Sequence, residues 1–189
     1  MVASDMPRAF PVPPAAPAPA AGLQDASTAW LAVEAGAHHY LLALGDTGEI
    51  FPWTAPQPVP HTVGWFLGVS NLRGGLYGVA RLDAFIAADA DPQETHAPRR
   101  PVEAASAAPS RLIALHSRFE VNCALQVDRV LGLRGADLFE PLPGGEADAG
   151  PGETPAWRAR GCVDATGLRW RVLDLQALAR YPRFLSVGV

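Results

Sequence analysis

The sequence predicts a mainly β protein built as two five-stranded, barrel-like subdomains with a few short helices. Three observations carry that prediction. The apolar residues come in short runs of four or five, too brief for long helices, separated by Gly, Pro and polar turn residues. One pair of runs flanks an Asn-x-Arg-Gly-Gly turn at Asn71-Leu72-Arg73-Gly74-Gly75, where Gly74 and Gly75 permit the positive φ of a tight reversal. Finally, the order of elements repeats: the blocks 27–87 and 110–187 resemble each other along their lengths.

Residues 1–26 are rich in Ala and Pro and poor in large apolar groups, so a disordered tail is expected. Trp30 to Val33, a turn at Ala35-Gly36 and Tyr40 to Leu44 form the first strand pair, followed by a mixed segment from Asp46 to Trp53. Gly68 to Val79 forms the hairpin around the Asn-x-Arg-Gly-Gly turn, and Leu82 to Ile86 a short amphipathic helical piece. Residues 88–109 read as a flexible connection. Leu112 to Leu115 and Val121 to Leu125 then form a strand pair that aligns on the first without gaps, Leu31 falling on Leu112. Gly161 to Val172 aligns on Gly68 to Val79, with Gly74 on Gly167 and Val79 on Val172. The offset grows between these matches where the Gly-, Pro- and acid-rich loop 143–156 is inserted. Leu173 to Leu178 closes the second block as a helical turn, with Asp83 and Asp174 as candidate helix N-caps. Five twisted strands tend to close on themselves, because closure removes adhesive edges. Two such bodies side by side leave a cleft, a common place for binding.

Composition narrows the function. The 189 residues carry 15 basic and 19 acidic side chains, a net charge of −4; every basic residue is Arg, and the Arg are scattered apart from Arg99-Arg100. Without a basic stripe, nucleic acid and anionic membrane are not expected partners. Prolines interrupt both Phe10–Gly22 and Ile50–Leu72, so neither a signal h-region nor a spanning helix is expected, and the chain reads as cytoplasmic. Cys123 and Cys162 sit in apolar runs as small buried hydrophobes, not as nucleophiles. His38 and His39 are strand neighbours that point to opposite faces and cannot chelate one ion; no metal and no cofactor is expected. No nucleophile elbow, phosphate loop or dinucleotide fingerprint occurs. A chain rich in strands and poor in catalytic groups points to binding, and a non-enzyme is expected.

The stretch Gly68-Val69-Ser70-Asn71-Leu72-Arg73-Gly74 resembles the G-x-x-N-L-R-G motif of the CheW-like adaptors of bacterial chemosensory systems. Glu49-Ile50, Val59-Pro60 with Trp65-Phe66-Leu67, Val127-Asp128-Arg129-Val130 and Val172-Leu173-Asp174-Leu175 support the resemblance in order, over about residues 28–181. The chain departs from the family at Gly78, where a Pro is common, and in Ala80-Arg81-Leu82-Asp83. Trp65-Phe66-Leu67-Gly68 with Leu76-Tyr77-Gly78-Val79 is closer to the PilI-like branch that serves type IV pilus twitching motility. The resemblance implies a non-enzymatic scaffold of two SH3-like barrels spanning 27–187. It would bridge the helical cytoplasmic tip of a chemoreceptor, received in the groove between barrels, to a CheA-type histidine kinase. Recruitment to receptor arrays at the inner membrane, without insertion into it, follows from the same resemblance. The partner-binding candidates are Gly68, Asn71, Arg73 and Gly74 in the motif, with Glu49, Ile50 and Phe51 at the barrel edge. Arg73 either holds its turn through backbone carbonyls or forks a partner's carboxylate. The competing reading is a small β-barrel protein that binds a metabolite in its inter-lobe cleft.

Overall fold

The computed structural model describes residues 29–90, 110–142 and 155–189. The expected tail over 1–26, most of the connection 88–109 and most of the loop 143–156 lie outside these residues.

The described chain forms strands β1 (Ala29–Ala35), β2 (His38–Ala43), β3 (Thr47–Pro52), β4 (Phe66–Leu72) and β5 (Gly75–Arg81), helix α1 (Leu82–Ala90), then β6 (Arg111–Leu115), β7 (Cys123–Val127), β8 (Arg129–Gly135), β9 (Phe139–Pro141), β10 (Arg158–Asp164) and β11 (Arg169–Leu173), and the short helices α2 (Leu175–Leu178) and α3 (Pro182–Leu185). All four hairpin arms read from the sequence pair as expected: Leu31 with Leu42, Ile113 with Leu125, Val69 with Gly78 and Cys162 with Trp170.

The strands assemble into a six-stranded sheet of order β8-β1-β2-β11-β10-β9 and a five-stranded sheet of order β3-β6-β7-β5-β4. The sheets therefore do not follow the contiguous blocks 27–87 and 110–187. The β1–β2 hairpin completes a sheet whose other strands come from the second half of the chain, and the β6–β7 hairpin completes one whose other strands come from the first. Each exchange is sealed by a parallel pair, β2 with β11 and β7 with β5. Parallel neighbours require a long crossover, which the intervening strands and helix supply. In each sheet the two outer strands are consecutive in the chain, which curls the sheet toward closure.

Side chains alternate between two environments. One face of each sheet looks into its own cluster: Trp30, Ala32, Leu41, Cys162, Trp170 and Val172 in the six-stranded sheet, and Phe51, Leu72, Val79, Leu112, Ala114 and Ala124 in the five-stranded one. The opposite faces share one large core containing Leu31, Val33, Leu42, Ile113, Leu115 and Leu125. This corrects the alignment of the repeats. Leu31 faces the shared core whereas Leu112 does not; the equivalent of Leu31 is Ile113, because a one-residue slip turns every side chain to the wrong face.

Helix α1 packs between the sheets through Leu82, Phe85 and Ala88. The Phe85 ring lies 5.0 Å from Trp65, 5.2 Å from Trp157 and 5.1 Å from Phe184. The space between the lobes is thus largely filled by aromatic packing. The helix runs on to Ala90, so the connection begins later than residue 88. The reason is Asp89, which reads from sequence as a loop acid but has a side chain only 2% exposed, between Arg158 and Arg183. Its Oδ1 accepts from the Tyr181 hydroxyl at 2.9 Å, and Arg183 and Arg158 donate to the Ala88 and Ile86 carbonyls at 2.5 and 3.0 Å, capping the helix C-terminus. Asp174 is the N-cap of α2, accepting from Ala177 N–H at 2.8 Å. Asp83 is not a cap: it lies in the first turn of α1 and takes two hydrogen bonds from Arg81, at 2.8 and 2.9 Å.

Candidate partner-binding site

The β4–β5 reversal is a two-residue loop. Leu72 pairs with Gly75, and Arg73 (φ 49°) and Gly74 (φ 87°) both adopt positive φ, the handedness that matches the twist of a hairpin. The sequence expectation placed positive φ at Gly74 and Gly75. Gly75 is instead already in β5, where an added Cβ would meet the Tyr77 ring at 2.8 Å. Arg73 therefore occupies a left-handed position that costs an L-residue with a side chain about 1–2 kcal/mol. The turn is closed by Asn71, whose Oδ1 accepts from Gly74 N–H at 2.9 Å. Asp164, its counterpart at the other hairpin, accepts from Thr166 and Leu168 N–H groups at 2.9 and 3.1 Å.

Arg73 uses neither its turn's carbonyls nor a buried acid. Its Nη1 lies 2.6 Å from Oε1 of Glu49, with the two side chains 77% and 42% exposed. Glu49 is on β3, at the outer edge of the same sheet, beside an irregularity between Thr47 and Ile50. The pair thus ties one edge strand to the hairpin that carries the other. An ion pair this exposed contributes less than about 1 kcal/mol. A strained residue whose contact adds little stability is a candidate for recognition.

The remaining candidates separate by role. Ile50 is 39% exposed beside Glu49, and Leu76, which the sequence analysis did not single out, is 63% exposed just beyond the turn. Phe51 is not at the surface: it is buried, 6.2 Å from the Tyr77 ring, inside the five-stranded sheet's own cluster. The period-two alternation explains the difference, since Ile50 and Phe51 face opposite ways. Gly68 (φ 132°) sits at a bulge in β4, where the chain at Gln57 makes a two-hydrogen-bond bridge to Val69. A Cβ there would lie 2.1 Å from the Gln57 carbonyl oxygen, so Gly68 is a structural requirement.

An apolar recess of about 150 Å³ lies at the rim of the shared core, between the five-stranded sheet and the C-terminal segment, lined by Trp65, Phe66, Cys123, Phe184 and Leu185 among others. It is the size of one large side chain. Burial pushes the Cys123 thiol up to about 12, and burial with the nearby Asp164 charge pushes Cys162 up to about 11. Both are free and buried. The His38 ring lies near Tyr40 and the His39 ring near Trp170, on opposite faces of β2. Among the described residues, no helix is long and apolar enough to cross a membrane, and no group of three or more His, Cys, Asp or Glu side chains is placed to hold a metal.

Two interlocked, curled sheets with an exposed charged hairpin define a fold of β-barrel type. Residues 29–182 match the family model of the CheW-like domain, and the chain belongs to that family. It is 26% identical to Protein PilI of Pseudomonas aeruginosa over 178 residues, which covers 90% of this chain and 88% of that protein. The crystal structure of the scaffolding protein TtCheW from Thermoanaerobacter tengcongensis shares the fold, with a TM-score of 0.53 at 16% identity, covering 78% of this chain and 88% of that one.

Proposed function

We propose that this chain is a non-enzymatic adaptor that couples the cytoplasmic tip of a chemoreceptor to a CheA-type histidine kinase, in the signalling branch that controls type IV pilus twitching motility. Membership of the CheW-like family supports the adaptor role, and the likeness to PilI supports the pilus branch. The observation that carries the reading is the Arg73–Glu49 pair, held out to solvent on a strained turn inside the family's motif. The pair offers a guanidinium fork and a carboxylate to a partner surface, with Ile50 and Leu76 supplying exposed apolar area nearby. The receptor's helical hairpin docks by its apolar face, with one side chain entering the recess beside Leu185. The working place is the cytoplasm, at receptor arrays on the inner membrane.

The test is pull-down of kinase and receptor fragments by Arg73→Ala, with folding checked by circular dichroism. Loss of either partner from a folded variant supports the reading; retention of both at wild-type levels rejects a binding role for Arg73. The charge-swapped E49R/R73E double variant separates two modes. Restored binding means that the internal pair shapes the surface, and continued loss means that the partner reads the charges themselves.

A further inference from the structure

The apolar recess at the rim of the shared core has one firm wall and one loosely held wall. Trp65, Phe66 and Cys123 line it from β4, β7 and the approach to β4, whereas Phe184, Leu185 and Val187 line it from the C-terminal segment. Phe184 is anchored: it is 3% exposed, its ring lies parallel to that of Trp65 at 5.8 Å, and it meets Phe85 edge-on. Beyond Leu185 the chain leaves helical geometry at Ser186, with φ −92° and ψ 87°. Burial then falls away: Val187 is half-buried against the shared core, while Ser186, Gly188 and Val189 are exposed. Among the described residues, two backbone hydrogen bonds fasten this stretch. Val63 N–H donates to the Val187 carbonyl at 2.9 Å, and Val189 N–H to the His61 carbonyl at 3.1 Å. They make an isolated antiparallel bridge, Thr62 opposite Gly188, and not a continuing sheet. The receiving side is itself strained, since His61 holds a φ of 54°. A short, exposed segment with so few contacts opens at a much lower free energy than the core behind it.

We propose that residues 186–189 form a strap that swings away about Leu185 while the fold stays intact, and that its release widens the recess into the docking place for an apolar side chain of the receptor's helical tip. Phe184 remains stacked on Trp65, which gives the motion a fixed pivot. Release takes Val187 out of the recess wall, so a space that is about 150 Å³ when strapped opens along one side. The docking step rests on the adaptor reading; the opening of the strap does not. The two cysteines supply an internal comparison. Cys123 lines the recess, whereas Cys162 is 0% exposed inside the six-stranded sheet's own cluster and is reached only when that sheet comes apart.

The test is the rate at which a bulky maleimide labels each cysteine of the full chain under native conditions, read site by site by mass spectrometry. The proposal expects Cys123 to label faster than Cys162. Val189→Pro removes the N–H that holds the strap to His61 and is expected to speed Cys123 labelling at least about tenfold, with Cys162 unchanged. A staple gives the opposite perturbation. Thr62 and Gly188 form the closer, non-hydrogen-bonded kind of antiparallel pair, within reach of a disulfide. The oxidised T62C/G188C chain is expected to slow Cys123 labelling and to weaken capture of a receptor-tip fragment at least about tenfold, and reduction to restore both. One common rate for the two cysteines, or a folded Val189→Pro chain in which Cys123 is no faster or Cys162 speeds equally, overturns the strap. Undiminished receptor capture by the stapled chain overturns its role in docking. A native chain that fails to hold the receptor fragment contradicts the adaptor reading instead, and the labelling rates still decide whether the strap opens.

Discussion

Arg73 pairs with a side chain 24 positions earlier in the chain, across a sheet edge, and the exposure of both groups limits what that contact does for folding. Arg73→Ala is expected to change unfolding free energy by less than about 1 kcal/mol in urea titrations, while abolishing partner capture. Gly68→Ala is the contrasting case. Its Cβ would overlap the Gln57 carbonyl at a φ that side chains avoid, so a loss of about 3 kcal/mol or more is expected. Asn71→Ala removes one hydrogen bond from the turn, and a loss of about 1 kcal/mol is expected in the same titration. Asp164 supplies a pH signature. The Thr166 hydroxyl, then the Trp170 indole N–H and backbone N–H groups, hold its carboxyl down at about 2. A folded-state value below the unfolded one stabilises the fold above the unfolded value and loses that contribution as pH falls through the folded one. Asp164→Asn is therefore expected to flatten stability between about pH 4 and pH 2, as read by thermal melts across that range. At this scale the sequence located the motif, the turn and the buried cysteines. It could not find Glu49 as the partner of Arg73, because that contact exists only once β3 and the β4–β5 hairpin share a curled sheet. It put Phe51 beside Ile50 as a surface residue because the register that turns one inward is set by β6.

At the scale of elements, α1 is fixed by contacts that no local pattern announces. The sequence marked Leu82 to Ile86 as a helical turn, and the helix continues because Asp89, Tyr181, Arg183 and Arg158 clamp its end. Asp89 lies 69 positions from Arg158 and 92 and 94 from Tyr181 and Arg183, so these charges read as loop polarity until the fold is known. Asp89→Ala leaves two arginines facing a largely buried void. An expected loss of about 2–3 kcal/mol reflects the partial solvation of both guanidiniums; differential scanning calorimetry of the full chain checks it. The repeat was legible because both hairpins keep a turn glycine and matching apolar positions at equivalent places, Gly74 with Gly167 and Val79 with Val172. The pairing within each hairpin was legible for the same reason, but the offset was not. Apolar runs match equally well when slipped by one, and only the assignment of Leu31 and Ile113 to the shared core decides between the registers.

For the whole molecule, the exchange of hairpins is the feature that contiguous reading missed. Local turn signals say which strands are neighbours in a hairpin, but nothing local says which sheet a hairpin joins. The parallel pairs β2–β11 and β7–β5 are contacts between distant parts of the chain. Neither half of the chain contains a complete sheet. Fragments cut between residues 90 and 110 are therefore expected to lack cooperative unfolding alone and to recover it when mixed, as monitored by circular dichroism. Such interlocking ties the two sheets together through exchanged hairpins, and in the proposed adaptor role it would hold two larger molecules at a fixed separation. The most direct measurement of that role is interferometry with immobilised chain exposed to the regulatory part of a CheA-type kinase and to a receptor-tip fragment, singly and together. The adaptor account predicts that both bind at once to the native chain and that folded Arg73→Ala loses at least one of them. Failure of the native chain to hold either, or identical binding by the folded variant, contradicts it.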